Sequence, residues 1–266
     1  MHITSKFRTT TIKKVVKETL DITTLYLNTN IKGIPGQYIM VWIPGIDEVP
    51  MSLSGMESDT SITVRVVGEA TKALSELKTG SRIGVRGPYG NGYSIEGLRP
   101  LIVGGGSGIA SLYPLVVDME EKGLKPSFLI GAKSSNQLLF KKRLSRLLGS
   151  RLIISTDDGS EGYHGYASTL AEKMIRENSY DSIYTCGPEI MMSKIYETAE
   201  EKEIMIQISM ERIFKCAVGI CGSCAVGPYR TCKDGPIFDT KMLKVVQNEV
   251  GKSRMDESGK SIKVIH

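Results

Sequence analysis

Histidine is scarce in this chain of 266 residues, with only His2, His164 and His266 present. That scarcity leaves no constellation for acid–base catalysis centred on imidazole. No run of five or six basic residues interleaves with aromatics, and the formal net charge is only +5, so a nucleic-acid groove is not expected. The opening residues 1–10 have no apolar stretch after their charges, which predicts a cytoplasmic protein without a secretory signal. The longest uncharged run, residues 100–117, is broken by four glycines, two prolines and two serines. A membrane helix needs ~20 mostly apolar residues, so this run demands another explanation. No internal repeat or low-complexity tract occurs. What remains is 41% hydrophobic and 24% charged residues, the composition of a folded globular chain, at a length that suggests two domains and a small appendage.

The order of elements predicts an α+β, multi-domain fold. From residue 10 to about 99, short β-rich runs (11–16, 23–28, 38–44, 61–67 and 81–87) are separated by Gly and Pro turn signals, the pattern of a small antiparallel barrel. A short helix is expected at 71–77. After residue 100 the rhythm changes to strand and helix in alternation, with strands at 101–105, 127–132, 151–156, 182–187 and 204–209. Helices are expected at 112–121, 138–148, 169–177 and 189–202. Such alternation argues for a parallel α/β sheet. Beyond Met210 regular periodicity fails, in a Gly-rich, loop-like segment.

That last segment holds four of the five cysteines, spaced Cys216-x4-Cys221-x2-Cys224-x7-Cys232. The spacing matches the plant-type ferredoxin arrangement, in which four thiolates hold a [2Fe-2S] cluster. Gly219, Gly222 and Gly227 give the loop the tight turns that aim backbone amides at sulfur. The competing assignments are a structural zinc site, for which paired C-x2-C motifs are the usual form, and unliganded thiols. The fifth cysteine, Cys186, ends an apolar strand thirty residues earlier and reads as simply buried.

Gly104, Gly105, Gly106, Ser107 and Gly108 lie between a strand and a helix, where backbone amides and a helix N-terminus can face phosphate. The string is not G-x-G-x-x-G, and its glycines are equally suited to a tight crossover. Cys186, Gly187 and Pro188 end another strand, at what a parallel sheet would make the same carboxyl edge. The turn Asp157 to Ser160 can reach that crevice as well.

Taken together these segments resemble the ferredoxin reductase-like superfamily, and within it the electron-transfer subunits of type B dihydroorotate dehydrogenase. The resemblance runs over nearly the whole chain. It is carried by Pro50 to Ser54, Val64 to Gly68 with Thr71, Gly87 to Gly92, the glycine turn, Asp157 to Ser160, Tyr184 to Pro188 and the cysteine loop through Pro236. The strings Gly-Pro-Tyr-Gly-Asn-Gly (87–92) and Cys-Lys-Asp-Gly-Pro (232–236) are the specific ones. The resemblance implies an FAD-binding barrel at 1–98, an NAD-binding α/β domain at 99–208 and a [2Fe-2S] subdomain at 209–266. It assigns flavin contacts to Pro50, Met51, Ser52, Leu53, Arg65 and Thr71. The family usually has Arg where this chain has Val49, and the second parallel strand ends at Lys133 with no acid for a ribose 2′-hydroxyl.

The expected role is relay: an FMN-containing catalytic subunit, the partner in a hetero-oligomer, oxidises dihydroorotate, and electrons pass through the cluster and FAD to NAD for pyrimidine biosynthesis. Two other roles stand beside it. One is a reductase subunit of a related hydrogenase, transhydrogenase or sulfide-linked enzyme; the other is a non-enzymatic iron–sulfur redox sensor.

Overall fold

The computed structural model describes residues 6–56, 60–256 and 259–264. His2, His266 and the first five residues of the opening segment lie outside them.

Six strands close the N-terminal barrel: β1 (Arg8–Lys17), β2 (Ile22–Leu27), β3 (Tyr38–Ile43), β4 (Asp47–Gly55), β5 (Ser61–Arg65) and β6 (Arg82–Tyr89), in the order β1-β2-β5-β4-β3-β6. All neighbours are antiparallel, and β1 closes on β6. Inward residues such as Ile12, Leu25, Ile39, Leu53, Ile62 and Val85 fill the interior. α1 (Glu69–Glu76) packs its Leu74 against this cluster. The sequence hides β4, because Pro50 and two serines interrupt its apolar pattern; the strand exists because both its neighbours in the closed barrel need its backbone groups.

The second unit is a seven-stranded sheet built from β7 (Pro100–Gly105), β8 (Ser127–Ala132), β9 (Leu152–Thr156), β10 (Tyr163–His164), β11 (Ser182–Cys186) and β12 (Met205–Ser209), joined by β15 (Ile237–Asp239). Its order is β10-β9-β8-β7-β11-β12-β15, parallel except for β15, which runs antiparallel to β12. Helices α2 (Gly108–Glu121), α3 (Lys141–Leu148), α4 (Ala167–Glu177) and α5 (Glu189–Glu201) connect the parallel strands. The buried strands β7 and β11 are covered on both faces, so they read as continuous apolar runs.

Two helix starts differ from expectation by more than two residues. α2 begins at Gly108, four residues early, because Gly108 to Leu112 are all buried and packing overrides their weak propensity. α3 begins only at Lys141. Leu138, Leu139 and Phe140 instead plug the sheet-face core, and Phe140 turns into left-handed conformation to enter the helix.

The segment after Met210 is more ordered than its periodicity implied. It forms a hairpin of β13 (Ala225–Val226) and β14 (Tyr229–Arg230), the short helices α6 (Thr231–Asp234) and α7 (Thr240–Val246), and a terminal hairpin of β16 (Ser253–Met255) and β17 (Ser261–Lys263). These elements are too short to show a period. Among the described residues no helix is long and apolar enough to cross a membrane.

Candidate functional site

A cleft runs between the barrel and the carboxyl edge of the parallel sheet. Its barrel wall is Tyr38, Pro50, Met51, Ser52, Thr63, Arg65, Val67 and Thr71; its sheet wall is Ser107, Gly108, Ala110, Ser111, Cys186, Ser209, Met210, Glu211 and Arg212. Phe214 and Pro236 close one end. Five of the six barrel residues named from the sequence meet here. Leu53 does not: period-two alternation turns it inward, where it is 1% exposed in the barrel core.

Committed hydrogen bonds limit what these side chains can offer a ligand. The Arg65 Nε donates to the Asp21 carboxylate at 2.9 Å, and its Nη1 lies 3.6 Å from where a Cβ on Gly106 would sit. The Thr71 hydroxyl accepts from the Val67 and Gly68 amides and donates to the Gly68 carbonyl, capping α1. Val49, where the family usually has Arg, packs against the barrel core.

The glycine turn divides by role. Gly104 and Gly105 belong to β7, and Cβ atoms there would meet Ile109 and Phe128, or Met191 and Pro188. Gly108 faces the Cys186 carbonyl so closely that no side chain fits. These three glycines let α2 and β11 pack against β7. Gly106, at φ 55°, faces Arg65, and Ser107 and the backbone of Gly108 line the cleft, at the N-terminus of a fourteen-residue helix. Gly187 and Pro188 close the other side of the crossover, with Pro188 leading into α5.

Sequence reasoning missed Ser111, Ser209, Met210, Glu211 and Phe214. The signal for three of them was position: residues 209–211 end β12 at the carboxyl edge where ligands sit in such sheets. Cys186 lies on the cleft floor near Ser111, Ser209 and Glu211; burial and the Glu211 carboxylate push its thiol up to about 12. Glu211 is exposed on the cleft wall, where partial desolvation by the surrounding protein and the nearby Glu189 raise its carboxyl against the pull of Arg254, Arg212 and Arg65. Arg212 itself is committed to a bidentate pair with Glu189, at 2.9 and 3.0 Å. The Asp157 to Ser160 turn is not part of the cleft wall. It bonds back to the end of β8, Asp157 N to the Ala132 carbonyl and Asp158 N to the Lys133 carbonyl, each at 3.1 Å. His164 is exposed on β10, away from the cleft lining.

The cysteine loop backs onto the closed end of the cleft. Tyr38, Met40 and Tyr89 of the barrel form one apolar cluster with Phe214, Ala217, Cys224 and Cys232. The Tyr38 hydroxyl donates to the Cys232 carbonyl at 2.8 Å, and its ring lies 4.8 Å from Phe214. The four thiols meet two by two, Cys216 with Cys221 and Cys224 with Cys232. Among the described residues no group of three or more His, Cys, Asp or Glu converges on one ion. Amides point at sulfur as a cluster requires: Val218 and Ile220 at Cys216 Sγ (3.5 and 3.4 Å), and Cys232 at Cys224 Sγ (3.4 Å). At Cys216 the amide donors outweigh burial and bring the thiol down to about 6. Cys221 and its neighbour Ile220 are exposed, whereas Cys186 belongs to the cleft floor and to neither pair.

An antiparallel barrel, a parallel nucleotide-type sheet, a cleft between them and a ferredoxin-type cysteine loop define an iron–sulfur reductase of ferredoxin reductase-like fold. The chain matches the iron–sulfur cluster binding domain of dihydroorotate dehydrogenase B over residues 211–244. It is 44% identical to a probable dihydroorotate dehydrogenase B (NAD(+)) electron transfer subunit from Thermoplasma volcanium, over 95% of this chain and 97% of that one. A protein of the same description from Methanocaldococcus jannaschii is 42% identical over 94% and 96%. Among solved structures, a chain from the NADH-dependent reduced ferredoxin-NADP oxidoreductase, described for flavin-based electron bifurcation, superposes with a TM-score of 0.79 at 28% identity, covering 90% of this chain and 93% of that one. The chain therefore belongs to the family of dihydroorotate dehydrogenase B electron transfer subunits.

Proposed function

We propose that this chain relays electrons from an FMN-containing dihydroorotate dehydrogenase subunit, through a [2Fe-2S] cluster and FAD, to NAD, in pyrimidine biosynthesis. The observation that carries the reading is the Tyr38 side chain, which lines the cleft on one side and hydrogen-bonds the Cys232 carbonyl on the other. A flavin bound in the cleft supplies the junction between one-electron and hydride chemistry. Cys216, Cys221, Cys224 and Cys232 hold the cluster. Pro50, Met51, Ser52 and Thr71 would hold the flavin, with Arg65 offering a cation and Gly106 and Ser107 a helix N-terminus to its phosphates. The Cys186 to Pro188 turn and Glu211 flank the approach of the nicotinamide nucleotide. Cys186 is a neutral thiol there, because its pKa of about 12 keeps it protonated.

In this reading residues 1–98 bind FAD, 99–208 bind NAD and 209–266 bind the cluster, with β15 pinning the third part to the sheet of the second. Thiols left reduced for iron suit a cytoplasmic location. The transhydrogenase-type reading is favoured only by the structural likeness at 28% identity, against relatives at 44%. Anaerobic purification followed by iron, flavin and visible-spectrum analysis tests the assignment. It requires two irons and one FAD per chain, and bleaching of both chromophores by NADH. A chain that never takes up FAD on reconstitution contradicts it.

A further inference from the structure

The cysteine loop is tied to the barrel by a second contact besides Tyr38, and this one carries charge. Arg86 on β6 donates from Nη1 to the Cys216 carbonyl at 3.2 Å. Its Nε and Nη2 donate to the two carboxylate oxygens of Glu48 on β4, each at 2.6 Å. The guanidinium also donates to the Tyr89 hydroxyl at 3.2 Å and lies over the Tyr89 ring at 5.5 Å. Both side chains are largely withdrawn from solvent, Arg86 at 20% and Glu48 at 26% exposure, so their charges are only partly screened.

The barrel core is filled without this pair. Of the residues opposite it across the ladders, Met40 packs into the cluster with the cysteine loop and Trp42 is exposed. What the pair does have is orientation: the guanidinium end touches the loop that holds sulfur, and the carboxylate lies behind it. A cluster gains one negative charge on reduction, and nearby charge and hydrogen bonding set its potential. A bare cation at Cys216 favours the reduced form; Glu48 offsets much of that field.

The geometry points to the Arg86–Glu48 pair as the device that sets the reduction potential of the cluster, with Arg86 raising it and Glu48 holding it down. The inference rests on the reading of the four cysteines as cluster ligands. Both are positioning residues, since neither touches iron, and their effects have opposite signs. Removing Glu48 unmasks the cation, so Glu48→Gln raises the potential. Removing the cation leaves an unpaired carboxylate beside the loop, so Arg86→Gln lowers it. Each change is expected to be tenfold or more in the one-electron equilibrium, equal to 59 mV.

The test is an EPR-monitored titration of the full, iron-loaded chain with dithionite as reductant, run on the parent, Glu48→Gln, Arg86→Gln and the double variant. Opposite shifts in the single variants, with the double variant returning toward the parent, support the inference. Shifts of the same sign, or none, overturn it. Should Arg86→Gln lose its iron, Glu48→Gln alone decides, because it keeps the guanidinium bond to Cys216: a potential that stays or falls overturns the inference. A parent chain that binds no iron would instead overturn the ligand assignment beneath it.

Discussion

Asn91 and Ile237 exchange two hydrogen bonds: the Asn91 Nδ2 donates to the Ile237 carbonyl at 2.7 Å, and the Asn91 Oδ1 accepts from the Ile237 amide at 2.9 Å. The same Nδ2 reaches the Asp234 carbonyl at 3.1 Å, and the Asn91 amide donates to the Gly235 carbonyl at 2.7 Å. Beside it, Gly90 at φ 74° leaves no room for a Cβ against Pro236 and the Gly235 carbonyl. The two most specific strings of the sequence, 87–92 and 232–236, thus interlock. Their specificity records the fit of barrel to cysteine loop.

Asn91→Ala leaves the Ile237 amide and carbonyl without their partner. At about 1–3 kcal/mol for each unsatisfied buried group, a loss of about 2–6 kcal/mol is expected. Chemical denaturation measures it, and iron should be lost at lower denaturant in the variant than in the parent. Equal stability would show that the clasp contributes nothing.

Much of this architecture was legible from spacing and period. The barrel and the parallel sheet followed from strand runs and their alternation with helices, and the cysteine loop from its x4-x2 interval. The pairing of Asn91 with Ile237 was not legible, since it joins residues 146 apart in sequence. Nor was the division of the glycine turn, because packing against Cys186 and phosphate binding ask for the same residue type. Glu211 and Phe214 escaped because their segment has no period, although the end of β12 marked the place.

Gly108→Ala is expected to be the most damaging change in the glycine turn. Its Cβ would press on the Cys186 carbonyl and the Gly187 amide, and overpacking of this kind costs about 1–3 kcal/mol. Because the displaced elements are the cleft floor, flavin retention should fall with the melting temperature. A variant with parental melting temperature and flavin content would refute the packing role.

Cys224→Ser should abolish or severely perturb the cluster, whereas Cys186→Ser should leave iron content unchanged, since Cys186 sits on the cleft floor. Iron analysis of both variants decides, and equal loss in the two would defeat the assignment of the ligands.

Asp181 holds the link between barrel and sheet, accepting from the Leu98 and Arg99 amides at 2.9 Å each. Burial works against its charge, but these amides and Ser182 prevail and lower its pKa. A depressed carboxylate pKa stabilises the fold above the unfolded value near 3.9, and that contribution disappears as pH falls through the folded value. Asp181→Asn should therefore melt below the parent at pH 5 to 8, with the gap closing in acid below about pH 4. A gap independent of pH would contradict the linkage.

The relay itself is tested most directly in complex. The chain, co-expressed with the FMN-containing catalytic subunit from the same source, is held anaerobically, given dihydroorotate without NAD, and followed by EPR. A stable complex whose cluster signal appears on adding dihydroorotate, and fades when NAD follows, is the predicted result. A complex that fails to form, or a cluster that stays oxidised with dihydroorotate yet reduces with dithionite, would contradict the account.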